Sequence, residues 1–416
     1  MRNSTEAQKS KVQKFLMRLR MHKRHYREGG NPWFDGLTMT DCHPELVEGR
    51  IPGQARNDRL RVVHLTLNPN PLTLCFLFFA FSFSGCTQQD RMFKESRVMM
   101  DTYCTITVVS TSEDRAKEAI EAGFSEIKKL DTYLNNFSPD SELSAISRSA
   151  GIKPVHVSRE TLDIILKTIE VSKITIGAFD PTIAPVLELW KFSGRPASPL
   201  LPQDDLIKDA LKLVDYKKIK TNTGESELYL EEKDMELDLG GIAKGYAADK
   251  AIEAIKLKGI KAALVAISGD IRGYGLNTTG KPWKVGIQDP RPENPDAEKP
   301  WEDIFASISL KNRAISTAGD YQRFFLRDGK RYHHIIDPKT GYPSESGLIS
   351  VSVIAPEGYI ADGIDTAILI LGAEKGMKLL EEMGIDGVLV DSNKRVLITK
   401  NLKDNIEIIR KEYQQR

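Results

Sequence analysis

From about residue 101 onward, apolar positions recur with two different periods, and the switching between them predicts a succession of strands and helices. In "DTYCTITVV" (101 to 109), Cys104, Ile106 and Val108 alternate with Thr105 and Thr107, the pattern of a strand with one buried face. The period then lengthens. Ala116, Ala119, Ile120, Phe124, Ile127 and Leu130 predict a helix that Ser112 caps and that runs to about Leu134. A turn is expected at "FSPDSELS" (137 to 144), then a second helix capped by Ser158 with a buried stripe of Leu162, Ile165, Leu166 and Ile169. Beyond the Gly- and Pro-punctuated "GAFDPTIAPVLELWKFSG" (177 to 194), a third helix is predicted from about Gln203 to Val214.

Strand patterns dominate the next portion: "LYLEE" (228 to 232), "AALVAIS" (262 to 268), "WKVGIQ" (283 to 288), "FASISLK" (305 to 311) and "GLISVSVIAP" (347 to 356). A helix after "LDLGGIAKG" separates the first two, and a last helix, "EKGMKLLEEMG" (374 to 384), leads into the hairpin "GVLVDSNKRVLIT". The expected fold class is α/β in the broad sense, more narrowly α+β: a mixed β-sheet with helical cover. No internal linker divides the body.

The first 86 residues read differently from the rest. They hold 13 basic and 7 acidic residues, which leaves the remainder of this 416-residue chain with a net charge of −5. A mildly acidic body lacks the basic face that nucleic acid requires, so no nucleic-acid partner is expected. In "PLTLCFLFFAFSFSGC" (71 to 86), twelve uncharged residues from Leu72 to Phe83 are too few for a spanning helix of about 20 residues and suit a signal-peptide core. Ser84, Gly85 and Cys86 resemble the lipobox of bacterial lipoproteins, with Phe83 where leucine is preferred. A buried core strand is the alternative reading. Residues 1 to 70 are expected to be an unstructured or mis-started extension, the true start lying near residues 59 to 65, where Arg59 and Arg61 supply a positive n-region. The functional body is then 87 to 416. Of the four cysteines only Cys104 belongs to it, on the buried face of a strand, so no disulfide framework is expected.

Three segments carry candidate chemistry. "LDLGGIAKGYAADKA" (237 to 251) runs from an apolar, strand-like stretch over two glycines into a helix, and fits neither G-x-G-x-x-G nor G-x-x-x-x-G-K-[ST]. Gly240 and Gly241 allow the backbone to approach a ligand closely, the helix start favours an anion, and Lys244 adds charge. An Asp-capped helix packed on a sheet explains the same residues. In "ADGIDTAILILG" (361 to 372), Asp362 and Thr366 lie one helical turn apart, a spacing suited to a hard cation such as Mg²⁺, with Asp365 beside them. A carboxylate pair satisfying the helix dipole is the equal alternative. The absence of nearby cysteine or paired histidine argues against zinc. In "YHHIIDPKTGYP" (332 to 343), the adjacent His333 and His334 face opposite ways if extended, and His334 is taken as the inward one.

Together with "GAFDPTIAP", "AISGDIRGYG" and "AISTAGDYQRFF", these segments resemble the ApbE family of FAD:protein FMN transferases over about residues 96 to 400. The resemblance implies a T-fold-like flavin transferase fold and Mg²⁺-dependent transfer of FMN from FAD to a Thr or Ser hydroxyl of a flavoprotein subunit of the Rnf or sodium-pumping NADH:quinone reductase type, releasing AMP. It also implies a lipid-anchored protein on the periplasmic side of the bacterial inner membrane. Carried over position by position, Asp238 and Lys244 match flavin-nucleotide contacts, as do Met100, Phe137, Ala178, Phe179, Asp180 and Ile336. Asp362, Thr366 and the Gly241 carbonyl match the Mg²⁺ ligands. Asp101 stands where the family usually has glycine, Phe137 where it often has tyrosine, and Gly241 where it more often has alanine or threonine. Asp365 and His334 are the two candidates for the base. Two rivals stay open, an FAD pyrophosphatase giving FMN and AMP and a non-catalytic flavin-binding lipoprotein.

Overall fold

The computed structural model of the chain describes residues 89–192, 201–294 and 302–415. The expected extension, the signal segment and Cys86 lie outside the described residues. Among the described residues no helix is long and apolar enough to cross a membrane.

A nine-stranded sheet organises the body, in the spatial order Arg91–Met99, Thr102–Ser110, Ala262–Ile267, Asp270–Tyr274, Ala314–Gly319, Leu348–Ala355, Asp386–Asp391, Arg395–Ile398 and Gln414–Gln415. Every neighbouring pair is antiparallel except the last, so the mixed sheet of the sequence reading contains a single parallel pairing. Alternation along each strand divides its side chains between two cores. Ala263, Val265 and Ile267 face the helices, while Ala262 and Leu264 face a small three-stranded sheet formed by Ile406–Ile408, Ile304–Leu310 and Trp283–Gln288. With both faces covered, the central strands read as nearly continuous apolar runs. A satellite cluster gathers Val186, Trp190, Ile207 and Ile336.

The tail after residue 403 closes the second core. Ile406–Ile408 pairs with Ile304–Leu310, the Tyr413 ring packs 4.4 Å from that of Phe305, and the Tyr413 hydroxyl bonds the Asp289 carboxylate.

The capped helices form as expected. Ser112 caps Glu113–Leu134 by accepting from Arg115 N at 3.4 Å, and Ser158 caps Arg159–Ile174 by accepting from Thr161 N at 3.2 Å. Leu166 departs from expectation. It is exposed, and Ile164 joins Leu162, Ile165 and Ile169 inside, because the helix buries a broad arc and Leu166 falls beyond its edge.

Other elements were invisible to periodicity. The supposed turn at 137 to 144 contains the start of a helix, Glu142–Arg148, capped by Ser141. The punctuated segment folds into a short turn of 3-10 helix, Pro181–Ile183, and the helix Ala184–Trp190. "LDLGG" is no strand: Asp238 N donates to Pro181 O at 2.8 Å instead of joining a ladder. Cys104 is a fully buried core thiol whose pKa burial pushes up to about 12, so it is inert as a nucleophile. The first hairpin turns on Met100 (φ 52) and Asp101 (φ 56), both left-handed, as a two-residue connection of this twist requires. Aspartate tolerates that conformation, so the turn persists where glycine is the usual choice.

Candidate functional site

Two helices build the site. One, Ala243–Leu257, carries Lys244; the other, Gly358–Leu371, carries Asp362, Asp365 and Thr366. They cross glycine on glycine: a Cβ added at Gly245 would lie 2.2 Å from Gly358 O, and one at Gly358 would lie 2.3 Å from Gly245 O. At that crossing Gly245 N donates to Asp362 Oδ2 at 2.9 Å. One turn further on, Asp249 Oδ2 accepts from Gly358 N at 2.7 Å and Tyr359 N at 3.2 Å, while its Oδ1 is held by Arg272 Nε at 2.9 Å.

This assigns the helix-capping role to Asp249 on the neighbouring helix. Asp362 sits in the second turn, so it does not open its helix as the sequence reading supposed. Likewise the lysine helix begins at Ala243 with no side-chain cap, and its close packing on the neighbouring helix is made at Gly245.

Asp362, Asp365 and Asp270 form a buried acidic cluster. The Lys244 ammonium contacts Asp270 Oδ2 and stands 3.9 Å from Asp362 Oδ1. Ser316 Oγ lies between two carboxylates, bonded to Asp270 Oδ1 and 2.6 Å from Asp365 Oδ2, and Thr366 Oγ1 is 3.2 Å from Asp365 Oδ1. Gly241 adjoins this group, since a Cβ placed on it would come within 3.3 Å of Thr366 Oγ1 and 3.2 Å of the Phe179 ring.

Three carboxylates against one ammonium leave a buried surplus of negative charge. Burial first, and Asp270 second, push the Asp362 carboxyl up to about 7. Asp365 is raised well above the carboxylate range by burial, then by Asp362 and Asp270. Burial works against the Lys244 ammonium, but Asp270 and Asp362 outweigh it and hold the lysine pKa above its ordinary value. A divalent cation is the group that balances such a surplus. No set of three or more His, Cys, Asp and Glu side chains arranged to hold a metal occurs among the described residues. The donors that the family resemblance implies, the Asp362 carboxylate, the Thr366 hydroxyl and the Gly241 carbonyl, would offer a hard cation mixed oxygen ligands.

The remaining predicted residues fall around this floor. Asp238 Oδ1 accepts from Gly240 N at 2.7 Å, and its Oδ2 is 3.4 Å from Asn136 Nδ2, next to Phe137, a residue that is 69% exposed. Met100 lies at the same end of helix Glu113–Leu134, its N–H 3.4 Å from Asp131 Oδ2. Ala178, Phe179 and Asp180 are buried beneath. The Asp180 carboxylate is already bonded to Thr182 N, Thr182 Oγ1 and Tyr216 N, at 3.0, 2.6 and 2.9 Å. Ile336 is drawn into the satellite core with Trp190, apart from the acidic cluster.

The two histidines separate cleanly. His333 is buried and fully bonded, with Nε2 3.0 Å from Ser344 O and Nδ1 accepting from Ile335 N at 3.3 Å. His334 is half-buried, and its Nδ1 stands 3.2 Å from Arg323 O. A carbonyl only accepts, so Nδ1 carries the proton and Nε2 keeps a lone pair. Burial, then Arg323, His333 and Lys244, lower its pKa to about 4.

Sequence reasoning missed Asp270, Ser316, Gly245 and the Asp249–Arg272 pair. Asp270 and Ser316 lie within "AISGDIRGYG" and "AISTAGDYQRFF", segments singled out as wholes. An acid directly after a glycine at a strand start was the signal available for Asp270.

The model of the ApbE family matches residues 100–389. Among curated proteins, the FAD:protein FMN transferase of Treponema pallidum is 31% identical over 334 residues, covering 77% of this chain and 90% of the relative. The FAD:protein FMN transferase of Escherichia coli K12 is 30% identical, covering 75% of this chain and 90% of the relative. Among solved structures, the ApbE protein of Thermotoga maritima superposes with a TM-score of 0.69 at 30% identity, over 76% of this chain and 99% of that one. The flavin transferase ApbE of Vibrio cholerae gives a TM-score of 0.67 at 27% identity, over 76% and 99%.

Proposed function

The chain belongs to the ApbE family, and from that premise we propose that it transfers the FMN half of FAD to a threonine or serine hydroxyl of a flavoprotein subunit, releasing AMP. The observation that carries this reading is the buried acidic surplus of Asp270, Asp362 and Asp365 against Lys244. A protein that merely held a flavin nucleotide would gain nothing from concentrating negative charge where the phosphates must approach; a metal-dependent phosphoryl transfer needs it.

Asp362, Thr366 and the Gly241 carbonyl would hold Mg²⁺, which when bound polarises the pyrophosphate and offsets charge on the leaving AMP. Lys244, beside the same oxygens, adds a positive charge facing the phosphates. Phe137 offers a stacking surface for a flavin or adenine ring, and Asp238 an acceptor at the rim. As the acceptor oxygen bonds to the FMN phosphorus and the bond to the AMP phosphate breaks, the hydroxyl proton must leave. Neutral His334, with Nε2 as acceptor, suits that role. Asp365 suits it less, because its oxygens are engaged by Ser316 and Thr366. On the same reading the acceptor would be a subunit of the Rnf or sodium-pumping NADH:quinone reductase type, and lipidated Cys86 would anchor the chain on the periplasmic side of the inner membrane.

Mass spectrometry of an Rnf-type acceptor subunit incubated with the protein, FAD and Mg²⁺ tests the proposal. The acceptor is expected to gain one FMN less a water; free FMN and AMP with unmodified acceptor would mean a hydrolase. A base that works when neutral loses activity only as pH falls through its own pKa. With His334 near 4, and with Mg²⁺ supplied at saturation so that Asp362 stays ionised, kcat/KM for transfer is therefore expected to stay flat from pH 8 to about 5. An acid limb near 6.5, absent from His334→Ala, would show an ordinary imidazole and remove this account of the base.

A further inference from the structure

The cation site proposed above needs Asp362 unclaimed, yet the Lys244 ammonium stands within ion-pair range of it. We infer that Asp270 is a positioning residue: it berths the Lys244 ammonium and so reserves Asp362 for the divalent cation, an inference that rests on the function proposed above.

The geometry is unequal in the way this requires. Lys244 Nζ makes a direct charge-assisted contact with Asp270 Oδ2, whereas Asp362 Oδ1 is 3.9 Å away, beyond hydrogen-bond reach. Asp270 is fixed on both sides. It opens the strand Asp270–Tyr274 after a turn through left-handed Ser268 (φ 56) and Gly269, pairs with Ile267 in the ladder, and takes the Ser316 hydroxyl on its other oxygen. Asp362 has Oδ2 occupied by Gly245 N, so Oδ1 is the oxygen that both the ammonium and a metal ion would claim. Two cations cannot share one buried carboxylate oxygen without mutual repulsion. The Asp270 berth settles that competition, and it leaves Lys244 beside the cluster where a substrate phosphate would enter.

The inference predicts coupling between Asp270 and Lys244 that a simple sum of charges does not. Mn²⁺ alone, its free fraction followed by electron paramagnetic resonance, serves as the probe on the full chain. Lys244→Gln is expected to change the Mn²⁺ affinity less than threefold in the wild-type background, because the ammonium is committed to Asp270. In an Asp270→Asn background the ammonium falls to Asp362. There Mn²⁺ binding should weaken at least tenfold, and adding Lys244→Gln should recover at least tenfold. Equal effects of Lys244→Gln in the two backgrounds would mean additive electrostatics and would overturn the berth. Ser316→Ala, which loosens Asp270 without altering charge, repeats the cycle if Asp270→Asn melts. Asp362→Ala separates the underlying reading: undiminished Mn²⁺ binding there would remove the cation site itself, whatever the cycle shows.

Discussion

Exchanging Asp362 for asparagine is expected to slow FMN transfer by about a thousandfold, roughly 4 kcal/mol of lost transition-state stabilisation, while leaving the fold close to its wild-type stability. The amide oxygen still accepts from Gly245 N, so the helix crossing keeps its buried hydrogen bond. What disappears is the negative charge. Asp362→Ala is expected to lose the same activity and also about 1 to 3 kcal/mol of stability, because the Gly245 N–H is left without a partner. Initial rates of acceptor flavinylation and denaturant midpoints for the two variants separate chemistry from scaffold. An asparagine variant that retained a tenth of the wild-type rate would end the case for Asp362 as the carboxylate that holds the cation.

Gly245→Ala is the substitution expected to damage the fold most, by at least about 3 kcal/mol. Its Cβ would meet Gly358 O at 2.2 Å, Gly358 C at 2.5 Å and Asp362 Cβ at 2.9 Å, so two of the three obstructing atoms are backbone. Relief requires the two helices to separate, and separation breaks the Gly245–Asp362 bond and the Asp249 cap together. Gly241→Ala should be mild by comparison, since its Cβ would find only side chains, at 3.2 Å or more. Urea unfolding of the two variants gives the comparison, and a Gly245→Ala midpoint matching that of Gly241→Ala would show the crossing to be looser than described.

What could be read from the sequence was whatever a single element encodes by itself. Ser112 and Ser158 announce their helices because a cap and an apolar stripe are local signals, and 101 to 109 announces its strand by alternation. Arg91–Met99 gave no such signal: an edge strand with most of its side chains in water has no reason to alternate. Ala314–Gly319 escaped because its residues are small and buried on both faces. The hairpin Phe324–Arg327 with Lys330–His333 escaped because it is largely exposed.

The site divides along the same line. Asp362 and Thr366 were legible from a one-turn spacing. That Asp270 meets Lys244, and that a carboxylate from one helix caps the next, are facts of tertiary packing. The glycine pair at 240 and 241 drew attention as a visible motif, whereas the glycine that matters for packing stands alone at 245 and is recognisable only from its partner at 358. Family resemblance brought the scattered segments together, but the hydrogen bonds that occupy both ring nitrogens of His333 and only one of His334 are again facts of packing.

The tail that closes the second core has a temporal consequence. Residues 406 to 413 complete a layer whose other strands are made more than ninety positions earlier, through Ile308 with Ile406 and Asp289 with Tyr413. A chain emerging amino end first can assemble the lysine and aspartate helices and most of the large sheet while Ile287, Phe305 and Ile308 still lack their outer cover. Until residues 406 to 413 are added, the apolar flank of Ile287, Phe305 and Ile308 stays without its outer layer, so this core is completed later than the helices that carry the site.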